Sequence, residues 1–146
     1  MWRSCIHVYV HFVWRTWDSL PRVDLAWEER LHACIASEAR IGGCYALKVG
    51  GTSDHVHAII RMSATVTIAE LAKRMKGGSS HFVTHEIAPS TGFRWQGTYG
   101  AFSVQPEQVQ AVVEYIAHQR AHHSAGTDRP EWERSTEYAD PPEAAS

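Results

Sequence analysis

The sequence predicts an α+β sandwich, an antiparallel sheet with helices on one face, followed by a further helix. Three observations predict it. Apolar residues alternate with period two in some stretches and recur at helical spacing in others, in the order strand, helix, strand, strand, helix, strand, helix. Gly-Gly pairs and prolines fall at the transitions. The chain's 146 residues, 44% of them hydrophobic, suffice for one domain with a sizeable core.

Ile6, Val8, Val10, Phe12 and Trp14 alternate with His7, Tyr9, His11 and Val13, which defines a first strand with one strongly apolar face. From Asp24 to Arg40, Trp27, Leu31, Cys34, Ile35 and Glu38 recur at helical spacing, and Gly42-Gly43 closes the helix. Cys44 to Val49 and His55 to Met62 read as a strand pair around the turn Gly50-Gly51-Thr52-Ser53. A second helix is predicted from about Thr67, with Ile68, Leu71, Ala72 and Met75 as its stripe and Gly77-Gly78 as its stop. Arg94 to Gln96 and Ala101 to Val104 read as extended. Val109, Val112, Val113 and Ile116 then form the stripe of a last helix that opens near Pro106. This order matches a ferredoxin-like sandwich, with the second sheet face left available. Residues 1–125 are taken as the domain, and 126–146 as an acidic, proline-containing tail holding at most a short helix around Glu131 to Tyr138.

Composition narrows the function. A net charge of −2 argues against coating nucleic acid through bulk electrostatics, yet leaves room for a focused site. No apolar run approaches the ~20 residues of a membrane span and no signal-peptide core is visible, so a cytoplasmic protein with no membrane partner is expected. Cys5, Cys34 and Cys44 form no Cys-x-x-Cys pair and read as small buried or half-buried fillers.

The chemistry concentrates in Asp54-His55-Val56-His57. On a strand, His55 and His57 emerge from the same face and make a two-nitrogen metal clamp. Taken alone, such a pair is more often two partly exposed polar residues. Asp54 can orient a histidine or simply end a turn. In the last helix Tyr115 and Gln119 stand four apart, on one face, with Gln108 and His122 roughly in line. Gln119 offers an amide oxygen to a metal, and Tyr115 a phenol that a neighbouring cation would activate. Lys73, Arg74 and Lys76 form a basic cluster that either contacts phosphate or solvates a helix end. Tyr9 and His11 share the strand face opposite the apolar one and are candidates for DNA or metal-shell contact. Trp14 and Trp17 are candidates for stacking on unpaired bases, whereas Trp95 and Phe102 read first as core.

Asp54-His55-Val56-His57, Lys76-Gly77-Gly78-Ser79-Ser80, Phe93-Arg94-Trp95-Gln96-Gly97 with Tyr99-Gly100-Ala101-Phe102-Ser103, and Tyr115-Ile116-Ala117-His118-Gln119 with His122-His123 run in one order. In this combination the chain resembles the single-tyrosine HUH transposases of bacterial insertion sequences, close to the REP-associated tyrosine transposases. The resemblance implies a single-stranded DNA nickase and ligase that forms a 5′-phosphotyrosine and frees a 3′-OH. It maps the nucleophile onto Tyr115 and the metal ligands onto His55, His57 and Gln119. It further implies Mg2+ or Mn2+, no nucleotide cofactor, a hairpin-containing single-stranded DNA partner and a homodimer in which one protomer's tyrosine helix can serve the other's histidines. Zinc is the rival metal, although no third Cys or Glu ligand is evident in the sequence. The basic cluster that the family usually places after the first strand is replaced here by Trp14-Arg15-Thr16-Trp17-Asp18-Ser19. Alternatives are a host-retained REP-associated nickase, a non-catalytic RNA- or single-stranded-DNA-binding ferredoxin-like module, and a metal hydrolase with a structural Tyr115.

Overall fold

The computed structural model describes residues 1–139. Four strands, β1 (Tyr9–Arg15), β2 (Tyr45–Gly51), β3 (His55–Arg61) and β4 (Gly100–Val104), form one antiparallel sheet in the order β2-β3-β1-β4. This is the ferredoxin-like α+β architecture that the element order predicts. Its central strands follow from their composition. On β1 and β3, Val10, Phe12, Trp14, Val56, Ala58 and Ile60 alternate onto one face and are all buried.

That face is covered by α1 (Glu28–Ile41) and α2 (Ile68–Phe82), whose Leu31, Ile35, Ala39, Leu71, Ala72 and Met75 complete the main core. Thr67 starts α2 with a capping box. Its hydroxyl accepts from the Glu70 amide at 3.1 Å while the Glu70 carboxylate accepts from the Thr67 amide. The predicted stop at Gly77-Gly78 does not occur, and α2 runs on to Phe82 before a π-turn over Val83–Ile87. Gly78 serves close packing instead. A Cβ there would lie 2.5 Å from Glu38 Cδ of α1, so the glycine lets the two helices approach.

Further boundaries shift in the same way. Pairing of β1 begins at Tyr9 rather than Ile6, and both Ile6 and Val8 are exposed. Cys44 is buried and Cys34 half-buried, but Cys5 is exposed and fills no core. The expected tail helix reduces to a 3-10 turn at Pro130–Trp132.

The second sheet face is not left open. Helix α3 (Val109–Ala117) lies across it, and Val112 and Ile116 bury Ile59 of β3 in a smaller cluster with Leu47, Val104 and Trp132 at its edge. Gly50 of β2 permits the contact, since a Cβ on it would meet the Ile116 carbonyl oxygen at 2.5 Å. The last helix is broken at His118, which leaves helical geometry at φ −117°, ψ 31° and separates α3 from α4 (Gln119–Ala125). Residues beyond α4 fold back onto the same face. No helix among the described residues is long and apolar enough to cross a membrane.

Candidate functional site

The site lies where β3, the α3–α4 junction and the returning segment meet. His55 and His57 leave β3 on the same side, as alternation requires, and both are fully buried. Each ring is oriented through its Nδ1. His55 Nδ1 lies 2.7 Å from Asp54 Oδ1 and 2.8 Å from Thr52 Oγ1. His57 Nδ1 lies 2.8 Å from His11 Nε2. Both Nε2 atoms therefore face a common centre, the arrangement that outer hydrogen bonds give to metal-binding imidazoles.

The break at His118 does not separate Tyr115 from Gln119. The Gln119 amide still donates to the Tyr115 carbonyl at 3.2 Å, and Gln119 Oε1 sits 3.0 Å from His55 Nε2. The predicted pair thus reaches the histidines from a bent junction, not from one continuous helix face. The Tyr115 ring stands edge-on to His57 at 5.9 Å and stacks on His122 at 4.8 Å, all within one chain. A second protomer is not needed to bring tyrosine and histidines together.

Glu133 completes the centre and escaped sequence reading altogether. It projects from the segment assigned to an acidic tail, where nothing in local pattern distinguishes it from Glu131 or Glu137. Its Oε2 lies 2.9 Å from His57 Nε2 and 3.3 Å from His55 Nε2, and its Oε1 accepts from the Tyr115 hydroxyl. His123 Nε2 approaches Oε1 at 3.3 Å. Trp132, beside it, packs edge-on against both Tyr115 and His11.

Electrostatics follow from this crowding. Burial opposes charge on Glu133, but hydrogen bonds from His57 and Tyr115 outweigh it and hold the carboxyl down at about 2. Burial and the adjacent Glu133 carboxylate push the Tyr115 phenol up to about 12. Burial lowers His57 and takes His11 down to about 3, so His11 is neutral. The hydrogen bond from His55 draws Asp54 down to about 2.

His55, His57 and Glu133 present donor atoms within 4.8 Å of one another. Two imidazole nitrogens, a carboxylate and the nearby Gln119 amide oxygen are a chemically suitable set for a divalent transition ion. The carboxylate that the sequence reading found missing for zinc is therefore present, and donor type alone no longer separates zinc from Mn2+.

Other predicted residues do not join the centre. Lys73, Arg74 and Lys76 lie on α2, across the sheet from the histidines. Arg74 pairs with Glu38 at 3.5 Å, and half-buried Lys76 donates to the Gln96 and Thr98 carbonyls at 2.6 and 3.2 Å. Tyr9 pairs with Arg61 at the far end of β1, whereas His55 pairs with Arg15. His11 is 1% exposed, so it supports His57 and has no surface to offer DNA. Trp14 is wholly buried and unavailable for base stacking. Trp17 is exposed beneath the Arg94 guanidinium, 4.0 Å from its ring. Trp95 is core, as expected.

A family model described as Transposase IS200 like matches residues 4–119. The chain belongs to the IS200-like transposase family. Membership makes it a transposase, a DNA-cleaving enzyme, and leaves Glu133 beyond the matched region. Two solved structures share the family fold. One is a protein of Deinococcus radiodurans R1 assigned as a transposase, 19% identical, with a TM-score of 0.62 over 82% of this chain and 96% of that one. The other is a REP-associated tyrosine transposase bound to a REP hairpin, 13% identical, with a TM-score of 0.60 over 88% of this chain and 74% of that one. Comparison with curated proteins gave no match.

Proposed function

We propose that this IS200-like transposase cleaves and rejoins single-stranded DNA through a covalent bond to Tyr115. The observation that supports it best is the convergence of the Tyr115 hydroxyl and the Nε2 atoms of His55 and His57 on one buried carboxylate. Such a convergence would bring a nucleophile and a cation-binding pair within reach of one phosphodiester.

His55, His57 and Gln119, with Glu133 alongside, would hold a divalent ion, Mn2+ or Mg2+, which when bound supplies Lewis-acid polarisation of the phosphodiester. Asp54 and Thr52 fix the His55 ring, and His11 fixes His57. The Arg129 amide donates to the Tyr115 oxygen at 2.9 Å and sets its direction. Attack of that oxygen on phosphorus releases the 3′-oxygen as a hydroxyl and leaves the 5′ end as phosphotyrosine. Attack by a 3′-OH on the phosphotyrosine reverses the step, so no nucleotide cofactor is consumed.

Two surface grooves of about 420 and 540 Å³ share Arg15 as a wall, one reaching Glu133 and Arg134, the other His55, Arg120 and His123. They offer a strand a path past the site on which Arg15, Arg120 and Arg134 can meet phosphates between Asp18, Asp54 and Asp128, with exposed Trp17 next to Asp18 for an unpaired base. A hairpin beside the cleavage point is the expected substrate feature, and Lys73, Arg74 and Tyr9 are available to more distant DNA. A homodimer would add DNA-binding surface, since the catalytic groups already meet in one chain.

The test is covalent trapping. Single-stranded oligonucleotides carrying hairpins are incubated with protein and Mn2+ or Mg2+ and resolved on a denaturing gel. A protein–DNA adduct is expected from the wild type and not from Tyr115→Phe. An adduct retained by Tyr115→Phe rejects the assignment of the nucleophile.

A further inference from the structure

Glu133 is joined to both halves of this centre, and standing beside a divalent ion does not account for its bond to the Tyr115 hydroxyl. The phenol of Tyr115 has one proton and points it at Glu133 Oε1, while its oxygen accepts from the Arg129 amide. The other carboxylate oxygen faces the two imidazoles. Glu133 is 8% exposed and lines the groove formed with Arg15 and Gln96, so the carboxylate lies next to a path open to a phosphodiester.

We propose that Glu133 is a catalytic residue of this enzyme, taking the phenol proton of Tyr115 as its oxygen attacks phosphorus and returning it when the strand is rejoined. This rests on Tyr115 being the nucleophile. In the forward step the Tyr115 O–H bond breaks, the new O–P bond forms, and the proton passes to Glu133. The P–O3′ bond breaks, and the 3′-oxygen takes its proton from solvent. In the reverse step a 3′-OH attacks phosphorus and gives its proton to solvent, the P–O bond to Tyr115 breaks, and the departing phenol oxygen recovers its proton from the Glu133 carboxylic acid. The transfer needs no rearrangement, because the phenol already donates to Glu133 Oε1, and the phenol becomes more acidic as O–P bonding develops.

The placement has a structural basis independent of the chemistry. The Arg134 carbonyl, one residue on, sits against Gly100 of β4, where a Cβ would clash with its oxygen. Trp132, one residue back, is wedged between Tyr115 and His11. Both neighbours of Glu133 are thus fixed to the sheet side of the site, which holds the carboxylate where both the phenol and the imidazoles reach it.

Glu133→Gln separates proton transfer from shape, because the amide oxygen can still accept from the phenol but cannot hold its proton. Three quantities are measured on the full chain: Mn2+ affinity by calorimetry, hairpin affinity in EDTA, and the single-turnover rate of adduct formation at saturating Mn2+. Hairpin affinity should not fall, and the adduct rate should fall by about 10²–10⁴-fold and stay low at saturating Mn2+. Glu133→Asp, which retains a carboxylate, should form adduct faster than Glu133→Gln. A Glu133→Gln rate that returns to the wild-type value when Mn2+ is saturating makes Glu133 a metal ligand alone and overturns the proposal. An Asp variant no faster than Gln also overturns it. If the wild type gives no adduct that Tyr115→Phe removes, the underlying nucleophile assignment fails first, and that outcome is visible before any Glu133 variant is made.

Discussion

His11 Nε2 lies 2.8 Å from His57 Nδ1, between two rings that are both shielded from solvent. His11 is neutral and carries one ring proton. For His57 to hold a cation through Nε2, its own proton must sit on Nδ1 and be donated to His11 Nε2. The proton of His11 is then on its Nδ1, which has no hydrogen-bond partner. With an ion bound, His11 would therefore bear the cost of an unpaired N–H while His57 presents the Nε2 that otherwise donates to Glu133. His11→Phe keeps the volume and removes the acceptor, and should weaken Mn2+ binding by about 10–100-fold. His11→Gln restores an acceptor and should recover part of that loss. Calorimetry on both variants is the measurement, and undiminished Mn2+ affinity in His11→Phe would show that His57 needs no such support.

The same group predicts a pH dependence for the metal-free protein. His11 and His57 are depressed in the folded state from a reference of 6.5, so the unfolded chain takes up protons there first. Stability must then fall as pH drops below 6.5 and continue falling through about 3 for His11. Asp54 and Glu133, held at about 2 against references of 3.8 and 4.5, act with the same sign but only below 4.5. Melting temperatures in EDTA should decline from neutral pH downward, and His11→Phe should flatten the portion between pH 6.5 and 4.5, where the carboxylates contribute little. A slope unaltered by that substitution would place the acid sensitivity elsewhere.

Gly50 predicts an effect at a distance. Its Cα faces the Ile116 carbonyl, and a methyl group placed 2.5 Å from that backbone oxygen must push α3 off the sheet. Gly50→Ala should destabilise the fold by about 1–3 kcal/mol, as overpacking does. Because Tyr115 precedes Ile116, adduct formation should fall as well, although Gly50 meets the site only through its ladder pairing with His57. Urea denaturation alongside the trapping assay reads both, and a variant as stable as wild type would mean that α3 adjusts freely.

How far the sequence was legible depended on the range of each interaction. Alternation in Val10, Phe12 and Trp14, and the His-x-His spacing of His55 and His57, are consequences of strand geometry within one element, and the structure keeps them. Gly77-Gly78 carried two meanings, helix stop and close approach, and only the neighbouring Glu38 decides between them. His118 has no breaker character, so the kink between Tyr115 and Gln119 reflects tertiary packing that local propensity does not encode. Glu133 was least legible. Its surroundings read as an acidic tail, and its partners are 76 and 18 residues away in the chain.

Gly100 offers a way to move Glu133 without altering it. A Cβ at Gly100 would clash with the Arg134 carbonyl oxygen and lie 2.8 Å from Val13 Cγ1 of the adjacent strand. Val13 is wholly buried, while most of residues 126–139 are exposed, so Gly100→Ala should displace the segment and spare the sheet. Trypsin reports the change. The bond after Arg129 is protected by Pro130, whereas the bond after Arg134 is followed by Ser135 and becomes cleavable once the segment lifts. Faster cutting at Arg134 with unchanged far-UV circular dichroism is the expected result, together with loss of adduct formation because Glu133 leaves with the segment. Trypsin resistance equal to wild type would mean that the segment docks without the close approach at Gly100. Lifted but fully active protein would instead separate docking from catalysis.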